Sequence, residues 1–160
     1  SHNAAIVFIG EAPGQNEAKT GRPFVGRSGK LLDELLISTC IYRDSVYITN
    51  IVKDRPPNNR DPLPQEIKIY SPFLIRQIEI IKPRVLATLG RFSTKFILEK
   101  YNLKEKEQSI THLHGVTLKA KTEFGQINII PLYHPAVALY SSKSKSTLLS
   151  DFQKLVPFSS

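Results

Sequence analysis

The chain has 160 residues, enough for one domain with a substantial apolar core, and residues 1–160 are expected to form that one domain. Its formal charge of +8 admits a polyanionic partner, nucleic acid first, although charge alone leaves a soluble basic protein without such a partner as the stronger reading. Cys40 is the only cysteine, which excludes an intrachain disulfide framework and a four-cysteine metal or cluster site.

No apolar run approaches the roughly 20 residues that span a bilayer, and no signal peptide is visible. The expectation is an intracellular protein, cytoplasmic or nucleoid-associated, with no membrane partner. Methionine is absent even at position 1, so the native start is expected upstream, with Ser1-His2 a cloning remnant.

Residues 4–9 are apolar throughout and read as a first strand, covered on both faces. Pro13 and Gly14 stop it, and residues 15–20 suit a helical turn. Ser28 suits an N-cap, and Leu31, Leu32, Leu35 and Leu36 then repeat at helical spacing. Cys40 falls in this apolar, helix-like stretch and is expected to be a buried structural thiol. Residues 45–50 read as the second strand.

Residues 53–64 are polar and dense in proline, which neither a helix interior nor a central strand accepts. They form a surface loop whose basic side chains either follow a phosphate backbone or are simply solvated. Residues 64–81 predict a long helix, with Pro64 in its first turn, Glu66 near its positive end and Pro72 kinking or interrupting it. Residues 85–89 are the third strand, 91–101 a helix and 127–132 the fourth strand. Between them, residues 104–122 keep no sustained period and suggest turns or a hairpin-like excursion. Residues 141–146 read as a basic, flexible patch, and 147–155 as a short closing helix. Strands separated by helices imply parallel pairing with right-handed crossovers in a three-layer α/β/α domain.

Three strand ends carry chemistry. The first is Gly10-Glu11-Ala12-Pro13-Gly14, followed by Gly21-Arg22-Pro23-Phe24-Val25-Gly26. The others are Tyr47-Ile48-Thr49-Asn50 and Tyr133-His134-Pro135-Ala136. Taken singly, each has an ordinary reading. Glu11 suits a helix-dipole cap, Phe24 suits the core, Asn50 suits a turn, and His134 suits a satisfied structural histidine. Glu17 suits a surface acid, and His112 and His114 suit ordinary surface or loop positions.

Together, and with Arg55-Pro56-Pro57, Asn59-Arg60, Lys82-Pro83 and Leu89-Gly90 in the same order, these segments resemble the family 4 uracil-DNA glycosylases over nearly the whole chain. The resemblance implies a four-stranded parallel sheet with a pocket at the carboxyl ends of its strands. It also implies a monofunctional enzyme that hydrolyses the N-glycosidic bond of deoxyuridine in DNA and leaves an abasic site. Such an enzyme acts as a monomer on uracil-containing DNA, on a base turned out of the stack at a cost of a few kcal/mol.

The resemblance also assigns roles. Glu11 and His134 are the expected catalytic pair. Glu11 orients or deprotonates the attacking water, or stabilises positive charge on the sugar, and His134 donates to uracil O2 as charge builds on the leaving base. Phe24 stacks on the uracil, Asn50 matches its N3–H and O4, and Glu17 lies at its C5 edge, excluding the thymine methyl. Gly10 and Ala12 allow close backbone approach. Arg55, Arg60, Lys143 and Lys145 are expected on phosphates, and Leu139 or Tyr140 as the wedge that fills the gap left by the flipped base.

Two departures stand out. Family 4 members usually hold an iron–sulfur cluster on four cysteines. Two of these precede the first strand, in a region missing here, and the other two would fall at Asp54 and Tyr70. No cluster, metal or other cofactor is therefore expected. Tyr140 also stands where the family often has arginine. The rival readings are a DNA-binding relative without catalysis, a glycosylase with broader deaminated-base specificity, and a phosphate-binding α/β enzyme acting on small nucleotides. The last is disfavoured because the first loop lacks the Gly-Lys-Ser/Thr ending of a P-loop.

Overall fold

The computed structural model describes residues 4–11, 27–51 and 64–159. Its strands are β1 (Ile6–Gly10), β2 (Val46–Asn50), β3 (Val85–Leu89), β4 (Leu118–Thr122) and β5 (Gly125–Leu132). Its helices are α1 (Arg27–Ser38), α2 (Pro64–Ile81), α3 (Arg91–Lys100), α4 (Ile110–Leu113) and α5 (Ser142–Phe152). A 3-10 strap, Pro135–Leu139, follows β5.

The five strands form one sheet in the order β2-β1-β3-β5-β4. The first four in that order run parallel, as expected, and β4 adds an antiparallel edge to β5. Every residue of β1 and β3 is buried, which accounts for their unbroken apolar runs.

The pleat divides the core in two. Val7, Ile9 and Leu86 face Leu74 and Ile78 of α2 and Ile97 of α3. Ile6, Phe8, Val85, Ala87 and Leu89 face Leu32, Leu35 and Leu36 of α1 and Leu148 and Phe152 of α5. Phe8 and Phe152 stack at 5.8 Å. Each such side chain contributes about 1.5–3 kcal/mol by leaving water. Helices thus cover both faces of the sheet, giving the α/β/α layering. No helix among the described residues is long and apolar enough to cross a membrane.

The hairpin-like excursion expected after residue 104 is present: β4, Leu118–Thr122, turns back into β5 at Gly125. Leu118 and Ala120 point inward while Lys119 and Lys121 remain exposed, and lysines of this kind discourage pairing with another edge strand. Other local expectations are corrected. Residues 141–146 are not a flexible patch. Ser141 caps α5 by accepting from Ser144 N at 3.0 Å, so the basic stretch is that helix's first turn. Helix α1 starts at Arg27, which puts Ser28 in its first turn rather than at the cap.

Cys40 is exposed, not buried. It sits at φ 60°, just past α1, where Cys40 N reaches Ile37 O and Ile41 N reaches Leu36 O. This is a Schellman ending, and it turns the thiol outward while burying Ile41. Helix α2 runs through Pro72 without interruption. Pro72 is exposed, so the carbonyl four residues earlier is left to solvent.

Gln77 ties α2 to the sheet. It accepts from Thr49 Oγ1 at 2.9 Å and donates to Tyr47 Oη at 3.0 Å. Both partners lie on β2, the strand that ends in Asn50.

Candidate active site

Parallel strands in register bring their carboxyl ends to one edge. Gly10 pairs with Asn50, and Leu89 with Leu132. The chain then leaves each strand through the residues of interest. Ile51 N donates to Gly10 O at 3.0 Å, and Gly90 N donates to Leu132 O at 2.8 Å, so the first turns beyond the strands are themselves hydrogen-bonded.

Gly90 is the centre of this edge. It caps α3 with φ +96°, a conformation that suits glycine. A Cβ on residue 90 would lie 3.1 Å from Glu11 Oε1 and 3.7 Å from His134 Cβ. The acid at the end of β1 and the histidine beyond β5 therefore flank the same bare Cα.

His134 caps the strap. Its Nδ1 accepts from Ala136 N at 3.1 Å, and Pro135 supplies the fixed φ of the first strap residue. Burial lowers the His134 pKa below the ordinary 6.5. The imidazole is therefore neutral at neutral pH, and with Nδ1 accepting, the proton sits on Nε2. The ring presents one N–H donor whose orientation is set by the strap. Asn50 is buried at 6% exposure, and its carboxamide offers both donor and acceptor from a rigid strand end.

The strap continues to Leu139 and Tyr140, which are 45% and 76% exposed. Tyr133, Val137 and Tyr140 together with Lys143, Ser144 and Thr147 line a cavity of about 340 Å³ beside it. Lys145 pairs with Glu34 of α1 at 3.6 Å, both side chains being largely exposed. A larger hollow of about 570 Å³ lies between α2 and α3 and includes none of the site residues.

The structure thus places Gly10, Glu11, Asn50 and His134 along one edge of the sheet, Asn50 paired with Gly10 and Glu11 and His134 flanking Gly90, and it places Leu139, Tyr140, Lys143 and Lys145 on the strap and the first turns of α5. Ala12, Glu17, Phe24, Arg55 and Arg60 lie outside the described residues, as do the expected helical turn at 15–20 and most of the loop at 53–64.

His114 lies in a turn, as expected, but it has specific partners. His114 Nδ1 lies 2.7 Å from Asp151 Oδ2, and its ring stacks on Tyr133 at 4.5 Å. The two partners are 37 residues apart, so no local pattern announces the pair. The signals present in the chain were Gly115 directly after His114, and an acid within the apolar stretch of α5.

The iron–sulfur cluster implied by the family resemblance does not fit these residues. Tyr70, at one expected ligand position, lies on α2, packs against the core and carries a phenol rather than a thiolate. The chain's one cysteine, Cys40, sits at the far end of α1. Among the described residues no cluster of three or more His, Cys, Asp or Glu is arranged to hold a metal.

The fold is three-layer α/β/α, with an acid, a carboxamide and a neutral histidine at the carboxyl ends of parallel strands, the edge at which open α/β sheets bind ligands. A family model for the uracil DNA glycosylase superfamily matches residues 1–155, and the chain belongs to that superfamily. It is 50% identical over 153 residues to a type-4 uracil-DNA glycosylase of Sulfurisphaera tokodaii, covering 95% of this chain and 69% of that one. It is 43% identical over 155 residues to a type-4 uracil-DNA glycosylase of Archaeoglobus fulgidus, covering 97% and 77%. A third relative with that name, from Saccharolobus solfataricus, is 47% identical over 153 residues, covering 95% and 70%.

Proposed function

We propose that this protein is a monofunctional uracil-DNA glycosylase, hydrolysing the N-glycosidic bond of deoxyuridine in DNA to leave an abasic site for base excision repair. The observation that carries the reading is the meeting of Glu11 and a neutral His134 at Gly90.

In this reading the bond from C1′ to uracil N1 breaks, and its electron pair moves onto the base. His134 Nε2–H donates to uracil O2 as that oxygen becomes negative. A preorganised donor strengthens toward the transition state and so raises the rate. Glu11 faces the sugar, where its carboxylate offsets the positive charge at C1′ and accepts a proton from the attacking water. The water oxygen then forms the new bond to C1′, and the uracil anion takes up a proton.

Asn50 supplies selectivity. Its carboxamide oxygen accepts from uracil N3–H and its NH₂ donates to O4, whereas cytosine presents the opposite pattern. Phe24 stacking on the base and Glu17 excluding a thymine methyl complete the pocket. Gly10 and Ala12 lie close to the base through their backbone. Arg55, Arg60, Lys143 and Lys145 contact phosphates, and Leu139 or Tyr140 fills the space the base vacates. The enzyme acts as a monomeric single domain inside the cell.

A substrate panel tests the assignment. Uracil in DNA is expected to be released, and thymine, cytosine and free deoxyuridine to be left intact. Release from free deoxyuridine would favour a small-nucleotide enzyme. Duplex binding with no product at any enzyme excess would favour a binding protein.

A further inference from the structure

The strap that carries His134 is anchored from behind by residues the chemistry above does not use. Strand β5 ends at Leu132, and Tyr133 and His134 follow directly. The ring of Tyr133 lies on the ring of His114, with centroids 4.5 Å apart and planes at 30°. His114 in turn is held by Asp151, through Nδ1 and Oδ2 at 2.7 Å. Asp151 belongs to α5, is 8% exposed and sits beside Phe152, one of the fully buried core side chains.

The backbone closes the same arrangement. Gly115 N donates to Pro131 O at 2.8 Å, which fixes the His114-Gly115 turn to β5 three residues before His134. Gly115 has φ +76°, and a Cβ there would run into the Asp151 carboxylate. Only glycine lets the chain pass so close to that acid. The turn is thus attached to α5 through Asp151, to β5 through Pro131, and to the strap's entry through Tyr133.

We propose that His114 and Asp151 are positioning residues for His134, acting through the Tyr133 ring. The carboxylate fixes the imidazole of His114, with Nδ1–H donating to Oδ2. The fixed imidazole gives Tyr133 a platform it cannot leave without losing the stack. The peptide joining Tyr133 to His134 is thereby held, and the Nε2–H of His134 keeps its aim at the base. Misplacement of a reacting group by about 1 Å costs up to a hundredfold in rate, so a brace at this point acts directly on turnover. This inference rests on the role given to His134 above and extends it to two residues that touch neither base nor sugar.

The test is single-turnover uracil release at saturating enzyme, with DNA affinity measured separately, for His114→Ala, Asp151→Asn, His134→Ala and the His114→Ala/His134→Ala double variant. His114→Ala is expected to lower the rate constant about tenfold to a hundredfold with DNA affinity unchanged. Asp151→Asn is expected to act in the same direction and less severely, since its amide oxygen still accepts. The double variant is expected to be no slower than His134→Ala alone, because the brace acts only through that ring. His114→Gln, which still donates to Asp151, should recover part of the rate and carries the test if His114→Ala does not fold. Full-rate His114→Ala or His114→Gln beside a slow His134→Ala overturns this inference alone. So does a double variant that is slower than His134→Ala by the factor His114→Ala costs the wild type. Full-rate His134→Ala overturns the reading of His134 and this inference with it.

Discussion

The carboxylate of Glu11 occupies the space in which a side chain on Gly90 would begin, its Oε1 3.1 Å from the Cβ position. The acid that follows β1 therefore reaches over the residue that follows β3. Gly90→Ala would place a methyl group against that oxygen at a φ of +96° that alanine rarely adopts. The strain is expected to destabilise the protein by about 1–3 kcal/mol and to slow uracil release by displacing Glu11. Thermal melting together with single-turnover kinetics checks both effects. Unchanged turnover would mean that the position of Glu11 is not rate-determining.

Uracil release is expected to fall in acid through a pKa below 6.5. Burial disfavours the charged imidazole of His134, and protonating Nδ1 would also remove the acceptor for Ala136 N–H. The neutral donor is fully present above the folded pKa and lost below it. Folding stability follows the same sign. The unfolded chain takes up a proton near 6.5 while the folded chain resists, so stability declines as pH falls from about 6.5 to the lower folded value. His134→Gln should flatten that part of both profiles. Rate–pH curves and melts of the two proteins check it, and an identical acid limb in His134→Gln would assign the titration to another group.

Asn50→Asp exchanges a donor for a second acceptor at a buried strand end. The contact to uracil O4 is lost, and a discrimination of about 1–3 kcal/mol is lost with it, roughly tenfold to a hundredfold in rate. The ratio of cytosine to uracil release should rise, because cytosine presents an amino group there. Competition assays on paired oligonucleotides measure that ratio, and an unchanged ratio would remove Asn50 from base selection.

Gln77 binds α2 to β2 through Thr49 and Tyr47. Gln77→Ala leaves both hydroxyls without this partner and is expected to cost about 1–3 kcal/mol of stability. Denaturant melts check the loss. In the same preparation, elemental analysis should find no iron, and a chelator should leave turnover unchanged. Stoichiometric iron would contradict the mismatch between the present residues and an iron–sulfur cluster.

The parallel core was legible because its strands are fully buried and therefore unbroken in apolar character, as in Val85–Leu89. Edge strand β4 was legible only as a hairpin-like excursion, because Leu-Lys-Ala-Lys-Thr is short and carries only two buried side chains. The first turn of α5 was hidden by serines and lysines that give no apolar period, although Ser141 was its cap. Cys40 was misjudged because helix periodicity does not reveal where a left-handed residue ends the helix and turns the side chain outward. At the site, Glu11, Asn50 and His134 stood at strand ends that hydrophobic pattern alone could mark. The meeting of Glu11 and His134 at Gly90, and the contact of His114 with Asp151, depend on strand register and on residues far apart in the chain.

The central claim is that Glu11 and His134 act together on a uracil nucleotide turned out of DNA. Single-turnover release of uracil by the wild type, His134→Ala, Glu11→Ala and their double variant tests it most directly. Loss of the His134 donor is expected to cost about 10²–10³ in rate, and loss of Glu11 about 10²–10⁴. The double variant should form little abasic product on the timescale of the wild type. Abasic product formed equally by the wild type and the double variant would contradict the account.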